Sequence, residues 1–425
     1  MQEDFLHYLW RHKKFEVSKI RTENNEQISI ISVGDYNQDS GPDFFNAQLR
    51  IGNQLWAGSV EIHVKSSDWY LHNHETDSNY DNVILHVVWE HDTDVYRKDN
   101  TSISTLELRH YIPKETLHNY EKLFSKSEKW INCEQDLAGI DDFKVNNWLE
   151  RLYFERLERK SYRVKKLLGD SKNDWEAVLF KTLAKNFGLK VNGDAFLSIA
   201  DSIDFSIVRK AQSNQTILEA LFFGQADLLE SDIQDQYYLN LVKEYKYLKQ
   251  KFSLPNKALI PIQFFRLRPA NFPTIRLSQL ASLYHYHKNL FSKIIELQHK
   301  DEFYNLFAIE TSSYWETHFA FGKPSKPSKK RITKAFVDLL LINTIIPIKF
   351  SYALHIGKQI DSDIINLLQG IVSEKNSIVE KFNSIKPVSK SALQSQALIQ
   401  LKNDYCDKNR CLHCNIGNEI LTRND

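Results

Sequence analysis

Three ionisable side chains lie in a row on one face of a predicted strand, and an acid precedes them in the chain. Such side chains are able to bind a metal ion and to take part in catalysis. The strand-like stretch GSVEIHVK carries Glu61, His63 and Lys65 on one face, because residues two apart on a strand point the same way. Asp43 enters the preceding strand, where its carboxylate can meet that row. Two carboxylates around one divalent cation can activate water and stabilise charge on a phosphodiester. The pattern predicts a site at which Asp43 and Glu61 bind Mg²⁺ or Mn²⁺.

The other members of the row have expected roles of their own. Lys65 would position the attacking water or neutralise developing negative charge, and His63 would be a third ligand or a proton carrier. Because Mg²⁺ prefers oxygen ligands, an imidazole here favours Mn²⁺ or another transition metal. The alternative is a solvated strand face on which these side chains meet only water, with Pro42-Asp43 shaping a turn.

Histidines and acids also follow this row, at His72, His74, Asp77, Asp81 and His86. Such sets bind Zn²⁺ or Mn²⁺ when the fold brings them together. Their spacing matches no tight ligand motif, and a loop histidine is more often a surface or capping residue. Metal binding, contact with phosphate and a purely structural role all stay open.

The cysteines form a more specific metal-binding pattern than the histidines and acids. Cys406, Cys411 and Cys414 lie close together near the C-terminus, and a C-x2-C pair lets two thiolates bind one ion. Either Cys133, the fourth cysteine of the chain, or the nearby His413 would complete the set. Zn²⁺ and a 4Fe–4S cluster both suit four such ligands, and thiols without metal are the alternative. A shared site would fasten the C-terminus to the junction after the first domain.

The elements that must position these residues are strands in the first part of the chain. A helix at residues 4–10 comes first, and a crossover leads to a parallel strand at residues 83–89. Between them, apolar alternation predicts two strands with a turn at residues 51–54; it runs through Phe45, Ala47, Leu49 and Ile51, then Val60, Ile62 and Val64. Beyond about residue 117 the spacing becomes helical. The predicted fold class is α+β, with a mixed α/β sheet domain over residues 1–115 and an α-helical region over residues 116–425.

Composition limits the partners and the compartment. The formal net charge is +1, so attraction to nucleic acid must be local. The acidic N-terminus argues against a secretory signal. The apolar run at residues 336–354 contains Asp338, Pro347 and Lys349, which fits a buried helix better than a membrane span. A cytoplasmic protein without membrane contact is expected, and protein partners are left open.

Three basic segments suit contact with the phosphate backbone of DNA or RNA. They lie at residues 151–166, 266–276 and 323–334. Arginine and lysine near aromatic side chains bind phosphates and stack on bases, although each segment alone is more often a solvated face. The residues expected to contact nucleic acid are Arg151, Arg156, Arg159, Arg163, Arg266, Arg268, Lys329 and Arg331.

Long motifs point to a family. They are EDFLHYLW, NQDSGPDFFNAQLRI, GSVEIHVKSSDWYLHNHETDSNYDNVILHVVWEHD, GQADLLE, RLRPANFPTIRLSQLA and CDKNRCLHCNIGNEIL. Over essentially the whole chain these resemble a bacterial family known as domain of unknown function 2851. That resemblance implies a family identity and no established activity.

The first hundred residues are also similar to the PD-(D/E)XK nuclease superfamily, in which Pro-Asp begins one strand and acid-x-Lys lies on the next. Pro42-Asp43, Glu61 and Lys65 carry this similarity, which implies a restriction-endonuclease-like sheet. His63 departs from it, because the superfamily has an acid there. Some of its nucleases hold an iron–sulfur cluster with one distant cysteine and three near the C-terminus, although Cys133 follows the motif instead of preceding it.

The leading interpretation is a metal-dependent nuclease-like protein that acts on DNA or RNA phosphodiesters. One alternative is a non-catalytic scaffold that binds nucleic acid or protein through a degenerate nuclease fold. Another is a phosphoesterase acting on a small molecule. The choice of an enzyme depends on whether the carboxylates of Asp43 and Glu61 converge around one ion.

Overall fold

The structure, a computed structural model, describes residues 1–125, 129–255 and 260–423. The chain divides into two compact units, each discontinuous in sequence. The first comprises Met1–Trp148, Lys381–Val388 and Gln400–Asp425, and the second comprises Leu149–Glu380 and Ser389–Ile399. The change of sequence pattern near residue 115 marks the end of the sheet, whereas the chain first passes between units after residue 148.

Helices dominate the described residues, and most of the strands lie before residue 110. The strands are β1 Ile28–Ser32, β2 Asp35–Tyr36, β3 Phe44–Ile51, β4 Gln54–Lys65, β5 Val83–Glu90, β6 Thr105–Glu107, β7 His318–Ala320 and β8 Lys323–Pro324. The α-helices are α1 Glu3–His12, α2 Asp68–Leu71, α3 Lys114–Leu123, α4 Asp142–Asp170, α5 Trp175–Phe187, α6 Leu189–Asp201, α7 Phe205–Ala211, α8 Gln215–Gln225, α9 Gln236–Phe252, α10 Pro273–Tyr286, α11 Leu290–Glu296, α12 Lys300–Leu306, α13 Lys334–Leu340, α14 Ile346–His355, α15 Asp361–Gln369, α16 Ser377–Ile385, α17 Ala392–Leu401 and α18 Asn415–Leu421.

A mixed sheet forms the centre of the first unit, in the order β1-β3-β4-β5-β6, with β2 beside β3. The pairs β1–β3 and β3–β4 are antiparallel, whereas β4–β5 and β5–β6 are parallel. The parallel step confirms the predicted crossover, which consists of α2 and a 3₁₀ turn at Ser78–Tyr80. With the helical region that follows the sheet, the architecture confirms the α+β class.

The hairpin of β3 and β4 turns where predicted but differs in which side chains face inward. Its two-residue loop begins at Gly52, whose φ of +56° suits glycine. The strand pairing slips between Phe44 and Ala47, where Asn46 has φ +58°. This bulge turns Phe44 into the core and leaves Phe45 38% exposed, so the alternation predicted from Phe45 is wrong at that position.

The most apolar helical stretch of the second unit is a core element. By length and composition, Lys334–His355 is able to cross a membrane, but 67% of its most apolar window is buried within the structure. The stretch contains a π-helical turn at Leu341–Ile345, after which Pro347 lies in the first turn of α14, where its missing N–H costs little. The prediction of a buried helix here is confirmed.

We expect Gly34→Ala to destabilise the first unit. Gly34 has φ +93°, and a Cβ there would lie 2.5 Å from the carbonyl oxygen of Phe45. Strained backbone and a displaced strand together should cost on the order of 1–3 kcal/mol. Hydrogen exchange of the β3 amides measures the effect. Gly169→Ala, with open space around its added methyl group in α4, is the control that should not lower stability; unchanged β3 protection in Gly34→Ala would contradict the prediction.

Candidate metal centre

The carboxylates of Asp43 and Glu61 are held beside each other by main-chain amides. The N–H of Asp43 donates to Glu61 Oε2 at 3.1 Å, and the N–H of Ile62 donates to Asp43 Oδ2 at 2.9 Å. Each acid therefore bonds to the strand segment that carries the other. Glu61 is buried and Asp43 is half-buried, so the structure brings together the two acids that the sequence singled out.

The loop that leads into Asp43 is shaped by one side-chain amide. Asn37 Nδ2 donates to the carbonyl oxygens of Asp39 at 3.0 Å and Pro42 at 3.1 Å. The N–H of Asn37 also donates to the carbonyl of Asp43 at 2.8 Å. Because a single asparagine satisfies several loop carbonyls, Asp43 enters β3 in a fixed position.

Two histidines contact the Glu61 carboxylate, and a third histidine contacts one of these two. Glu61 Oε1 lies 3.3 Å from His74 Nε2 and 3.5 Å from His63 Nε2. His63 Nε2 in turn lies 3.1 Å from His72 Nδ1, and the ligand atoms of the three imidazoles all lie within 4.8 Å of one another. A tetrahedral ion with bonds of about 2.0–2.1 Å separates its ligand atoms by roughly 3.3–3.4 Å. The contacts around Glu61 and His63 thus have the spacing of a metal-ligand set.

Packing after β4 fixes the two loop histidines. Between them, Asn73 has φ +59°, a conformation that asparagine tolerates. The N–H of His74 donates to the carbonyl of Trp69 at 3.0 Å, and its ring stacks on Tyr80 at 3.7 Å. Trp69 and Tyr80 belong to one apolar cluster of the first unit. The loop is therefore held by buried aromatic contacts, a feature that ligand spacing in sequence does not reveal.

His86 on β5 contacts the ring nitrogen of His63 that is not near Glu61, and this contact orients the ring. Its Nε2 lies 2.8 Å from His63 Nδ1, and both rings are buried. If His63 Nδ1 carries the proton and donates it to His86, the lone pair of His63 Nε2 is free for a metal. Burial and then the neighbouring imidazoles lower the pKa of His63 to about 2, and burial lowers that of His86 to about 3. Both rings are neutral at physiological pH.

Burial shifts the pKa of Glu61 in the opposite direction to the pKa values of the histidines. Burial first, and then the charge of Asp43, raises its pKa to about 9. A divalent cation beside it would favour the ionised carboxylate. Three imidazoles, with a carboxylate beside two of them, suit Zn²⁺, Mn²⁺ or Fe²⁺ better than Mg²⁺. The donor set therefore fits a transition metal.

Two residues of α1 also reach this centre. His7 Nε2 lies 3.3 Å from Asp43 Oδ2 and 3.8 Å from Glu3 Oε1. Burial alone would lower the pKa of His7, but the hydrogen bond and charge of Asp43 raise it. Sequence analysis missed both residues. The available signal was their spacing of four, which places Glu3 and His7 on one face of a helix.

Lys65 and Asp77 do not join this cluster. Lys65 is exposed at the end of β4. Among the residues that the structure describes, its amine makes no ion pair with Asp43 or Glu61, so its role stays a prediction. Asp77 accepts a hydrogen bond from the N–H of Asn79 and caps a turn.

The residues expected to contact nucleic acid all lie in the second unit. On α4, Arg151, Arg159 and Arg163 are exposed, whereas Arg156 is half-buried and donates to Gln396. Arg266 and Arg268 are exposed in the loop before α10. Lys329 and Arg331 both pair with Glu310. Nucleic-acid binding by these residues stays a prediction.

Comparison with known proteins identifies a family. A family model described as "Protein of unknown function (DUF2851)" matches residues 3–377, which contain five of the six motifs noted above. The match includes the histidine–carboxylate centre and Cys133, and it ends before Cys406. No curated protein and no solved structure matches the chain.

We expect His74→Ala to weaken Mn²⁺ binding by about 100-fold or more, because it removes a ligand. His86→Leu should weaken it by about 10–100-fold, as is usual for a partner that orients a ligand. The measurement is a Mn²⁺ titration in which electron paramagnetic resonance reports the free ion. His118→Ala changes an exposed histidine of α3 and serves as the control. Equal affinities of His74→Ala and the wild type would exclude this centre.

We also expect Glu61→Gln to change how stability depends on pH in chelator-treated protein. The pKa of Glu61 is raised from 4.5 to about 9 on folding, so the folded state holds its proton more tightly. The resulting stabilisation is complete below pH 4.5 and is lost as pH rises toward about 9. Glutamine removes this dependence. The melting temperature of Glu61→Gln should rise relative to that of the wild type as pH increases. If the two melting temperatures change in parallel with pH, the raised pKa of Glu61 is contradicted.

Proposed function

We propose that this chain, which belongs to the DUF2851 family, is a metal-dependent hydrolase that cleaves DNA or RNA phosphodiesters at its histidine–carboxylate centre. The observation that supports the proposal is the mutual bonding of Asp43 and Glu61 across β3 and β4, with imidazoles around Glu61. One acid with nitrogen ligands forms a donor set for an ion that activates water, and the second acid lies beside it.

The ion-binding side of the centre consists of Glu61, His63, His72 and His74. A divalent cation held there supplies a Lewis acid and lowers the pKa of water. The role of His86 is to fix the ring of His63 and its tautomer. His72 is exposed, so substrate and solvent approach the centre from its side.

The proton-transfer side consists of Asp43 and His7. The Asp43 side chain is 20% exposed and that of His7 is 12% exposed, so both lie at the edge of the buried cluster. Asp43 is placed to accept a proton from a water that attacks beside Glu61, and protonated His7, at 3.3 Å from Asp43, is placed to donate a proton to the leaving oxygen. Glu3 favours the protonated form of His7.

Two features support phosphodiesters as the class of substrate. The order Pro42-Asp43, then Glu61 and Lys65 on the next strand, is similar to that of the PD-(D/E)XK nucleases. Exposed Arg159 and Arg163 on α4 suit a phosphate backbone.

A phosphoester of a small molecule is the second candidate substrate. The charged residues closest to the centre are acids, Glu3 and Asp43 among them, which would repel a long polyanion. In addition, Lys329 and Arg331 are already paired with Glu310.

The test is cleavage of plasmid DNA, single-stranded DNA and RNA by the full chain with Mn²⁺ or Zn²⁺. Asp43→Asn and Glu61→Gln should each lower the rate by about 100-fold or more, the usual size of a lost acid–base group. His118→Ala is the matched control. Lys65→Ala should keep its Mn²⁺ affinity, and a lower rate would support its predicted role.

Two other results would reject the nuclease proposal. Hydrolysis of bis(p-nitrophenyl) phosphate without cleavage of nucleic acid would favour the small-molecule phosphoesterase. Binding of nucleic acid that weakens steeply with salt, without any cleavage, would favour a non-catalytic scaffold.

A further inference from the structure

All four cysteines of the chain line one pocket of the first unit. The other walls of this pocket include Leu123, Leu137 and Phe382. All four residues are free thiols, so none is committed to a disulfide. The fold brings Cys133 to three cysteines that follow it by more than 270 positions. Apolar side chains would line this pocket equally well, so packing alone does not require a cysteine at any of the four positions.

The C-terminal segment is folded tightly around its three sulfurs. Cys406 ends a π-helical turn, Cys411 begins a 3₁₀ turn, and Cys414 precedes α18. The N–H of Cys414 donates to the carbonyl of Cys411 at 3.1 Å. Gly417 lies against the same carbonyl, so that a Cβ at this position would overlap its oxygen. This close approach needs glycine and packs α18 against the turn that carries Cys411.

A hydrogen-bond donor points at one of the sulfurs. Asn132 Nδ2 donates to Cys411 Sγ at 3.4 Å. Donors of this kind stabilise thiolates and tune metal–sulfur bonds, whereas a buried neutral thiol packs without them.

From these observations we propose that Cys133, Cys406, Cys411 and Cys414 form a four-thiolate metal site that fastens the C-terminal segment to the first unit. Four metal–sulfur bonds form, and the thiol protons pass to solvent. The alternative fourth ligand, His413, is exposed and is not among the residues that line the pocket. Zn²⁺ and a 4Fe–4S cluster share this ligand chemistry, and the experiment distinguishes them.

The site adds to hydrogen bonds that already join the chain end to early helices. The hydroxyl of Tyr8 on α1 donates to Asn418 Oδ1 at 2.6 Å. Asn119 on α3 donates to the carbonyl of Arg423 at 3.0 Å. Metal binding to residues so far apart in sequence contributes directly to folding stability. The proposal does not depend on the proposed hydrolase activity.

The experiment compares metal content in the full chain purified without oxygen. We expect the thiols to hold about one Zn²⁺ per chain, or about four iron and four sulfide with visible absorption. Cys411→Ser and Cys133→Ser should each lower that content, and His413→Ala should not. Every variant is compared in the background of His74→Ala, which lacks a ligand of the histidine centre, so that metal bound at that centre does not enter the comparison.

A measurement on the wild type covers the case in which a cysteine variant fails to fold. Loading with Co²⁺ should produce thiolate-to-cobalt charge-transfer bands. Removal of the metal by a chelator should make the thiols react with Ellman's reagent and speed hydrogen exchange in α18. A full chain that binds neither Zn²⁺, Co²⁺ nor iron with sulfide through its thiols, and whose four thiols react at once, would overturn the proposal.

Discussion

The mutual hydrogen bonds between Asp43 and the Glu61–Ile62 segment are the constraint on which the candidate centre depends. A carboxylate leaves water only if donors or a cation take the place of its hydration. Here each acid takes a main-chain amide from the neighbouring strand. The register of the β3–β4 hairpin and the geometry of the centre are therefore coupled, and a slip of one residue would point these side chains to the other face.

The buried histidine side chains beside Glu61 are neutral and can offer lone pairs to a metal ion. Burial keeps His63 and His86 uncharged, so His63 can offer a lone pair. Aromatic packing by Trp69 and Tyr80 fixes His74 against Glu61. Burial of so many polar groups is costly unless each finds a partner, and here the carboxylate and the imidazoles are partners of one another.

The first unit is completed by the last residues of the chain. Its Tyr8–Asn418 hydrogen bond spans 410 positions, and Cys133 lines a pocket with residues of the C-terminal segment. Contacts of such sequence separation form late, because the entropy of closing a long loop is lost before they contribute. The unit is therefore expected to become fully stable only when the segment from residue 400 has docked.

The sequence by itself determined the local features: the strand alternation through Glu61 and His63, the turn at Gly52, the crossover to β5, the family, and the cysteine spacing. These follow from short-range periodicity and turn chemistry, which neighbouring residues encode. Only the tertiary structure decided that the Asn46 bulge buries Phe44 instead of Phe45, that α1 brings His7 to Asp43, and that His74 after α2 contacts Glu61. Those arrangements arise from packing between elements, where many weak contacts distant in sequence fix a geometry that no local pattern specifies.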